Sequence, residues 1–180
     1  AEFRAHRSNR VQAEAYNAQV QAALNSLQAI RKPTVALVKG YCVGGGLILA
    51  AHCDLRIAAD NARFGTPEVN VGLFPMMIGA LIFRNVLKKK AMEMILTGSP
   101  INAEQALNWG LVNEVVQPED LDQKVTKLAQ KIISKSPLMV KWAKQCVNLV
   151  NDHDLYKGID KELTQFSQAF GTHDAREGTE

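Results

Sequence analysis

Lys39-Gly40-Tyr41-Cys42-Val43-Gly44-Gly45-Gly46-Leu47-Ile48-Leu49-Ala50-Ala51-His52-Cys53-Asp54 is the stretch around which the rest of the chain is organised. Ahead of it, Thr34-Val35-Ala36-Leu37-Val38 is a short, β-branched apolar run that reads as a buried strand. Behind the three glycines, small and aliphatic residues continue without a breaker to Asp54, which reads as a short buried helix. A strand, a glycine turn and a helix in that order leave unpaired N–H groups at the helix start, at the positive end of its dipole. Glycine there carries no Cβ, so a polar atom of a ligand can approach the main chain closely. The join is a place to hold negative charge.

The kind of charge is narrowed by what the stretch lacks. A phosphate loop ends in Lys-Ser/Thr or spaces its glycines as G-x-G-x-x-G, and neither pattern occurs here. A serine-hydrolase elbow sets a serine between glycines, and Gly44-Gly45-Gly46 has none. An oxyanion hole for a carbonyl oxygen remains. Beside it stands the plainer reading, that the glycines only permit tight strand–helix packing.

Further motifs bear on that choice. Lys32-Pro33-Thr34-Val35-Ala36 through Gly44-Gly45-Gly46 is followed by Cys53-Asp54-Leu55-Arg56-Ile57-Ala58 and Ala62-Arg63-Phe64-Gly65-Thr66-Pro67-Glu68-Val69. Then come Ala91-Met92-Glu93-Met94-Ile95-Leu96-Thr97-Gly98, Ala103-Glu104-Gln105-Ala106 and Gly110-Leu111-Val112-Asn113. In kind and order these closely resemble the enoyl-CoA hydratase/isomerase (crotonase) superfamily, from near the N-terminus to Arg176-Glu177-Gly178.

The resemblance implies an α/β fold, a spiral core of ββα units followed by C-terminal helices. It places the core at residues 1–116 and a helical trimerisation region at 117–180, assembling as a homotrimer or a dimer of trimers. It implies an acyl-CoA thioester as substrate, with coenzyme A as part of that substrate and no separate cofactor or metal. The thioester oxygen would sit between two main-chain N–H groups. Gly45 would supply one of them, with Gly44 and Gly46 beside it, and the other would precede Ala1. Glu68 falls on the family's catalytic glutamate position, as acid and base. Its neighbours Val69, Val71, Leu73 and Phe74 are the kind that desolvate a carboxylate, although a glutamate beside a turn is in general a surface residue.

The chain departs from the family's hydratases at Ile48, where they carry a second glutamate. Adding water calls for one group to deprotonate it and another to protonate the α-carbon. Shifting a double bond needs a single base that carries a proton from one carbon to another. Glu68 opposite an apolar Ile48 therefore favours double-bond isomerisation over hydration. Hydration, or non-catalytic binding of acyl-CoA or a protein, stand as alternatives. Phe74-Pro75-Met76-Met77-Ile78-Gly79 replaces a glycine-rich turn of the relatives, and Met76 and Met77 would reshape the acyl pocket.

Composition sets the outer limits. The chain has 180 residues, 47% of them hydrophobic and 22% charged, which describes an ordinary globular domain with a real core. A net charge of +3 is too mild to argue for nucleic acid. No apolar run approaches the ~20 residues of a membrane span. Three cysteines without metal spacing fit reduced thiols and a cytoplasmic location, or a mitochondrial one if a targeting segment is missing.

Other candidates read as structural. His52 and Cys53 are adjacent and diverge; Cys42 reads as a small buried residue; His6, His153 and His173 are isolated. Lys88-Lys89-Lys90 reads as a solvated helix end before it reads as a phosphate contact, and Trp109 and Trp142 lie on helical faces. Helices are expected over 8–31, 88–96, 118–135 and from Ser136-Pro137 onward, with a last one through Leu155, Ile159, Leu163, Phe166 and Phe170. Strands are expected at 54–59, from Arg63 and at 112–116, and Asn102 with Gln105 reads as a capping box.

Overall fold

The computed structural model describes residues 10–73 and 86–152, together with Pro75, Ile82, Thr164 and Gln168. Met76 and Met77, the three isolated histidines and the last expected helix (but for Thr164 and Gln168) lie outside the described residues. By its internal contacts the chain divides into two compact units, residues 1–30 with 34–121 and residues 31–33 with 122–180.

The first unit opens with α1 (Arg10–Gln28), which ends before the Lys32-Pro33 stop. Then come β1 (Val35–Val38), β2 (Tyr41–Val43), α2 (Gly45–His52), β3 (Leu55–Ala59) and β4 (Arg63–Gly65). A 3₁₀ turn (Pro67–Val71) follows β4, and later elements are α3 (Lys88–Thr97), β5 (Ile101–Asn102), α4 (Ala103–Asn108) and β6 (Glu114–Val116). Two three-stranded sheets result, in the orders β1-β3-β6 and β2-β4-β5. The first is parallel throughout; in the second, β2 and β4 are parallel and β5 is antiparallel to β4.

Short parallel strands buried on both sides show little alternation. In β3 every residue after Leu55 is buried, Arg56 included. Leu47 of α2, Phe64 of β4, Met94 of α3 and Leu111 are fully buried in one cluster that also takes in Leu24 of α1. Full burial of such a side chain stabilises by about 1.5–3 kcal/mol. A reciprocal clamp ties the start of β1 to the start of β3. Thr34 N–H and Oγ1 donate to Asp54 Oδ2 at 2.7 and 2.9 Å, and Asp54 N–H donates to Thr34 Oγ1 at 3.1 Å. The expected capping box is complete: Asn102 Oδ1 accepts from Gln105 N–H and Gln105 Oε1 from Asn102 N–H.

The second unit holds most of α5 (Leu121–Ile133) and all of α6 (Pro137–Asp152). Ser136 Oγ accepts from Met139 N–H at 3.3 Å, the cap expected ahead of a proline at the first helical position. The apolar stripe that the sequence leads one to expect in α6, through Val140, Ala143, Val147 and Val150, is met in part: Val140 is half-buried, and the side chain of Val150 lies outside the described residues. Ala143 and Val147 are exposed, Val147 by 61%, whereas Leu138, Met139, Trp142 and Cys146 are half-buried with Val140. Among the described residues no helix is long and apolar enough to cross a membrane.

Candidate active site

Parallel pairing of β2 with β4 brings two loops together. Their register runs Tyr41↔Arg63, Cys42↔Phe64 and Val43↔Gly65, and Gly44 N–H extends it by donating to Gly65 O at 3.1 Å. Strands that run the same way release their chains at the same end. Gly44-Gly45-Gly46 and Thr66-Pro67-Glu68, distant in sequence, therefore leave the sheet side by side.

At the first loop, Gly44 turns the chain with φ +50° and ψ −121°, a conformation open in practice only to glycine. The first intrahelical bond of α2 is Ile48 N–H to Gly44 O at 3.0 Å, so the N–H groups of Gly45 and Gly46 lie ahead of the ladder. Gly44 makes no side-chain cap to them. Gly45 and Gly46 are exposed, and a Cβ built on either would meet nothing within 4 Å. Tight packing against the described residues therefore does not account for those two glycines, which leave room in front of two donors outside the helical ladder.

At the second loop, Pro67 starts the 3₁₀ turn and Gly72, at φ +74°, ends it. Leu73 N–H closes back onto Glu68 O at 3.0 Å. The turn is anchored on both flanks: the buried Thr66 donates through Oγ1 to Met94 O, and Asn70 through Nδ2 to Gly98 O. Glu68 is half-buried, and its carboxylate reaches Gly44. A Cβ on Gly44 would stand 3.2 Å from Glu68 Oε1. Oε2 is buried and has no hydrogen-bond partner among the described residues. A buried carboxylate oxygen without a donor costs free energy in the resting protein, which marks it as a group kept for something other than stability.

Ile48 is buried, at 7% exposure. It follows Gly44 by four residues, which puts it on the same face of α2, with its side chain leaning back over the first turn. It offers no acid or base. A cleft of about 320 Å³ runs along the opposite face of α2, past Gly46, Leu49, Ala50 and Cys53, and is bounded by Leu27, Leu37 and Tyr41. Glu68 and Ile48 do not line it.

The remaining candidates are each buried, exposed or engaged away from this site. His52 Nδ1 is 2.8 Å from Ile48 O, within its own helix. Burial pushes the Cys42 thiol up to about 11, against a smaller opposing pull from Arg56. Lys88 and Lys89 are exposed; Lys90 pairs with Glu93 at 3.0 Å and lies 5.1 Å over the ring of Trp109. Among the described residues no group of three histidine, cysteine or acidic side chains could hold a metal ion.

One contributor escapes the sequence reading. Arg56, 6% exposed, sends its guanidinium to the far end of α2, where Nη1 donates to Ala50 O, Ala51 O and Cys53 O at 3.4, 3.2 and 3.1 Å. Its Nε donates to Leu111 O at 2.6 Å. Burial draws its pKa below the ordinary arginine value, and Cys53, Cys42 and Asp54 oppose that shift. The signal was present in the sequence: a charge inside the apolar run Leu55-Arg56-Ile57-Ala58-Ala59 must find acceptors in the core.

Known proteins resemble this chain in sequence and in fold. The family model for enoyl-CoA hydratase/isomerase matches residues 2–180. A probable mitochondrial enoyl-CoA hydratase of Dictyostelium discoideum is 44% identical over 166 residues, which are 92% of this chain and 60% of that protein. The crotonyl-CoA hydratase of Syntrophomonas wolfei is 39% identical over 169 residues, 93% of this chain and 65% of that one. The crystal structure of an enoyl-CoA hydratase from Bacillus anthracis superposes with a TM-score of 0.92 at 30% identity, over 99% of this chain and 69% of that one. The chain thus spans 60–65% of the length of these two curated relatives. With its glycine turn, its following helix and Glu68 in the order that the sequence motifs foretell, the chain belongs to the enoyl-CoA hydratase/isomerase family.

Proposed function

We propose that this chain acts on an enoyl-CoA thioester, with the Gly45 N–H polarising the thioester oxygen and Glu68 moving the proton. One observation carries the reading: the buried Oε2 of Glu68, without a hydrogen-bond partner among the described residues, belongs to a carboxylate that reaches the glycine turn at the open start of α2. As negative charge grows on the thioester oxygen, a fixed N–H aimed at it stabilises the enolate. With Ile48 in place of a second carboxylate, Glu68 has to take both roles in a water addition that two groups would otherwise divide. Its carboxylate takes a proton from water as the oxygen bonds to the β-carbon, and returns that proton to the α-carbon.

Hydration is the first reading, because curated relatives at 39–44% identity are named as hydratases. This reverses the order that Ile48 alone supports. Double-bond isomerisation is the second reading. It rests on the burial of Ile48 on the Gly44 face of α2, which leaves Glu68 without a second carboxylate from that position. In that chemistry Glu68 takes a proton from C2 of a 3-enoyl thioester and delivers it to C4, leaving the conjugated 2-enoyl product.

The two readings separate on substrate. The ultraviolet absorbance of the conjugated thioester falls when a 2-enoyl-CoA is hydrated and rises when a 3-enoyl-CoA is isomerised. In either assay Glu68→Gln is expected to lower kcat by about 10²–10⁴-fold, the usual worth of a positioned acid/base. Undiminished turnover in that variant would remove Glu68 from the chemistry.

A further inference from the structure

The donor at Gly45 stands at one end of a helix only eight residues long, Gly45–His52. Such a helix is a rod of ~12 Å. Its starting end has no side-chain cap. What ties that end to the neighbouring strand is the Gly44 N–H bond to Gly65 O. The other end is held by the Arg56 fork, which collects the carbonyls of Ala50, Ala51 and Cys53 and joins them to Leu111 O. The same residue fixes that support through its backbone: Arg56 N–H donates to Asn113 Oδ1 at 2.7 Å and Asn113 N–H to Arg56 O at 2.8 Å.

From this we infer that Arg56 is a positioning residue for the oxyanion donor: by gripping the carbonyl end of α2 it sets the axial position and tilt of the helix, and so the direction of the Gly45 N–H at the opposite end. It touches no reacting atom. A lysine keeps the charge and loses the planar fork that reaches several carbonyls at once. A methionine keeps the apolar stem and leaves the helix end without its donors.

The inference rests on the proposed role of Gly45, and its test separates the two. In the full chain, Arg56→Lys and Arg56→Met are each expected to lower kcat for an enoyl-CoA by about 10–100-fold, since a donor misplaced by ~1 Å can cost 10²-fold. KM is expected to stay within about threefold, because charge on the thioester oxygen develops after binding. Leu24→Ala, a core truncation in α1, serves as a control for lost stability and should leave kcat unchanged. An amide readout needs no turnover. In Arg56→Lys the Gly45 and Gly46 N–H resonances are expected to shift and their hydrogen exchange to quicken, with those of Arg63, Phe64 and Gly65 unmoved.

If wild-type protein turns over neither enoyl-CoA, the acyl-CoA reading fails, and the amides alone decide the positioning role. A folded Arg56→Lys variant with unmoved Gly45 and Gly46 amides overturns the inference, as does a kcat within twofold of wild type. Loss of the fold in both variants overturns it too, by showing that Arg56 serves stability alone.

Discussion

The two loops that meet at the candidate site are supported in opposite ways. The loop of the proposed donor, Gly44-Gly45-Gly46, rides on a helix anchored by one buried guanidinium at its far end. The loop of the proposed acid/base, Thr66-Pro67-Glu68, is held locally by neutral contacts to the end of α3, through Met94 O and Gly98 O. A charge-assisted clamp is strong and fails hard, because removing the charge strands several carbonyls at once. Neutral, close-packed supports fail gradually. A main-chain donor cannot adjust by changing rotamer, so its helix must be placed as a body. A carboxylate has its own torsions and needs only a firm base.

Gly44 lies where the two loops meet, and changing it should do the most damage. Alanine there must adopt φ +50° with ψ −121°, at a strain of about 1–3 kcal/mol, and its methyl group would lie 3.2 Å from Glu68 Oε1. Gly44→Ala is expected to reduce turnover by about 100-fold or more while destabilising the fold, because it moves donor and carboxylate together. Steady-state kinetics beside a urea titration would test this. A folded variant with near-native turnover would break the idea that the two loops share this point.

Gly98 tests the gentler support. It ends α3 in the left-handed region at φ +62°, and a Cβ there would come within 2.8 Å of Val69 Cγ2 and Asn70 Oδ1. Alanine costs about 1–2 kcal/mol in that conformation and pushes on the turn that carries Glu68. Gly98→Ala is expected to lower kcat by about tenfold, less than Gly44→Ala, since the atoms it meets are side-chain ends that can give way. An effect on denaturation alone, with kcat unchanged, would mean that the α3 contacts do not position Glu68.

Much of this contrast was legible in the sequence, and the remainder was hidden for physical reasons. The glycine turn, α2 and the strand at Leu55–Ala59 announce themselves through long apolar runs and abrupt breakers. The capping box at Asn102 is local chemistry that four residues contain in full. β2 and β5 are three and two residues long, too short for any period to register, and pairing with β4 alone makes them strands. The nearness of Glu68 to Gly44 likewise depends on the β2–β4 register, which no local pattern encodes. Arg56 was visible as an anomaly in an apolar strand, but its partners at Ala50, Ala51 and Leu111 exist only once the core has assembled. The reverse holds at Ile48: its identity was plain, yet the names of the relatives favour a reaction that its chemistry does not by itself suggest.

The smallest expected effect concerns the strand that leads into the donor loop. Cys42 is buried in β2, and burial raises its thiol from 9.0 to about 11, with the nearby Arg56 charge opposing in part. An acid whose pKa rises on folding binds its proton more tightly in the native state. Its contribution is therefore complete below pH 9 and drains away as the pH climbs to about 11. One proton gives a slope of at most ~1.4 kcal/mol per pH unit, and the wild-type curve sums every group of the chain, so that curve alone decides nothing. The difference between wild type and Cys42→Ala does decide it: the stability lead of the wild type over the variant in urea should hold steady to pH 9 and shrink towards pH 11. The same alkaline range should depress kcat in wild type more than in Cys42→Ala, because a thiolate forming beneath α2 disturbs the helix that carries Gly45. A constant stability difference across that range would show that Cys42 does not couple the donor support to pH.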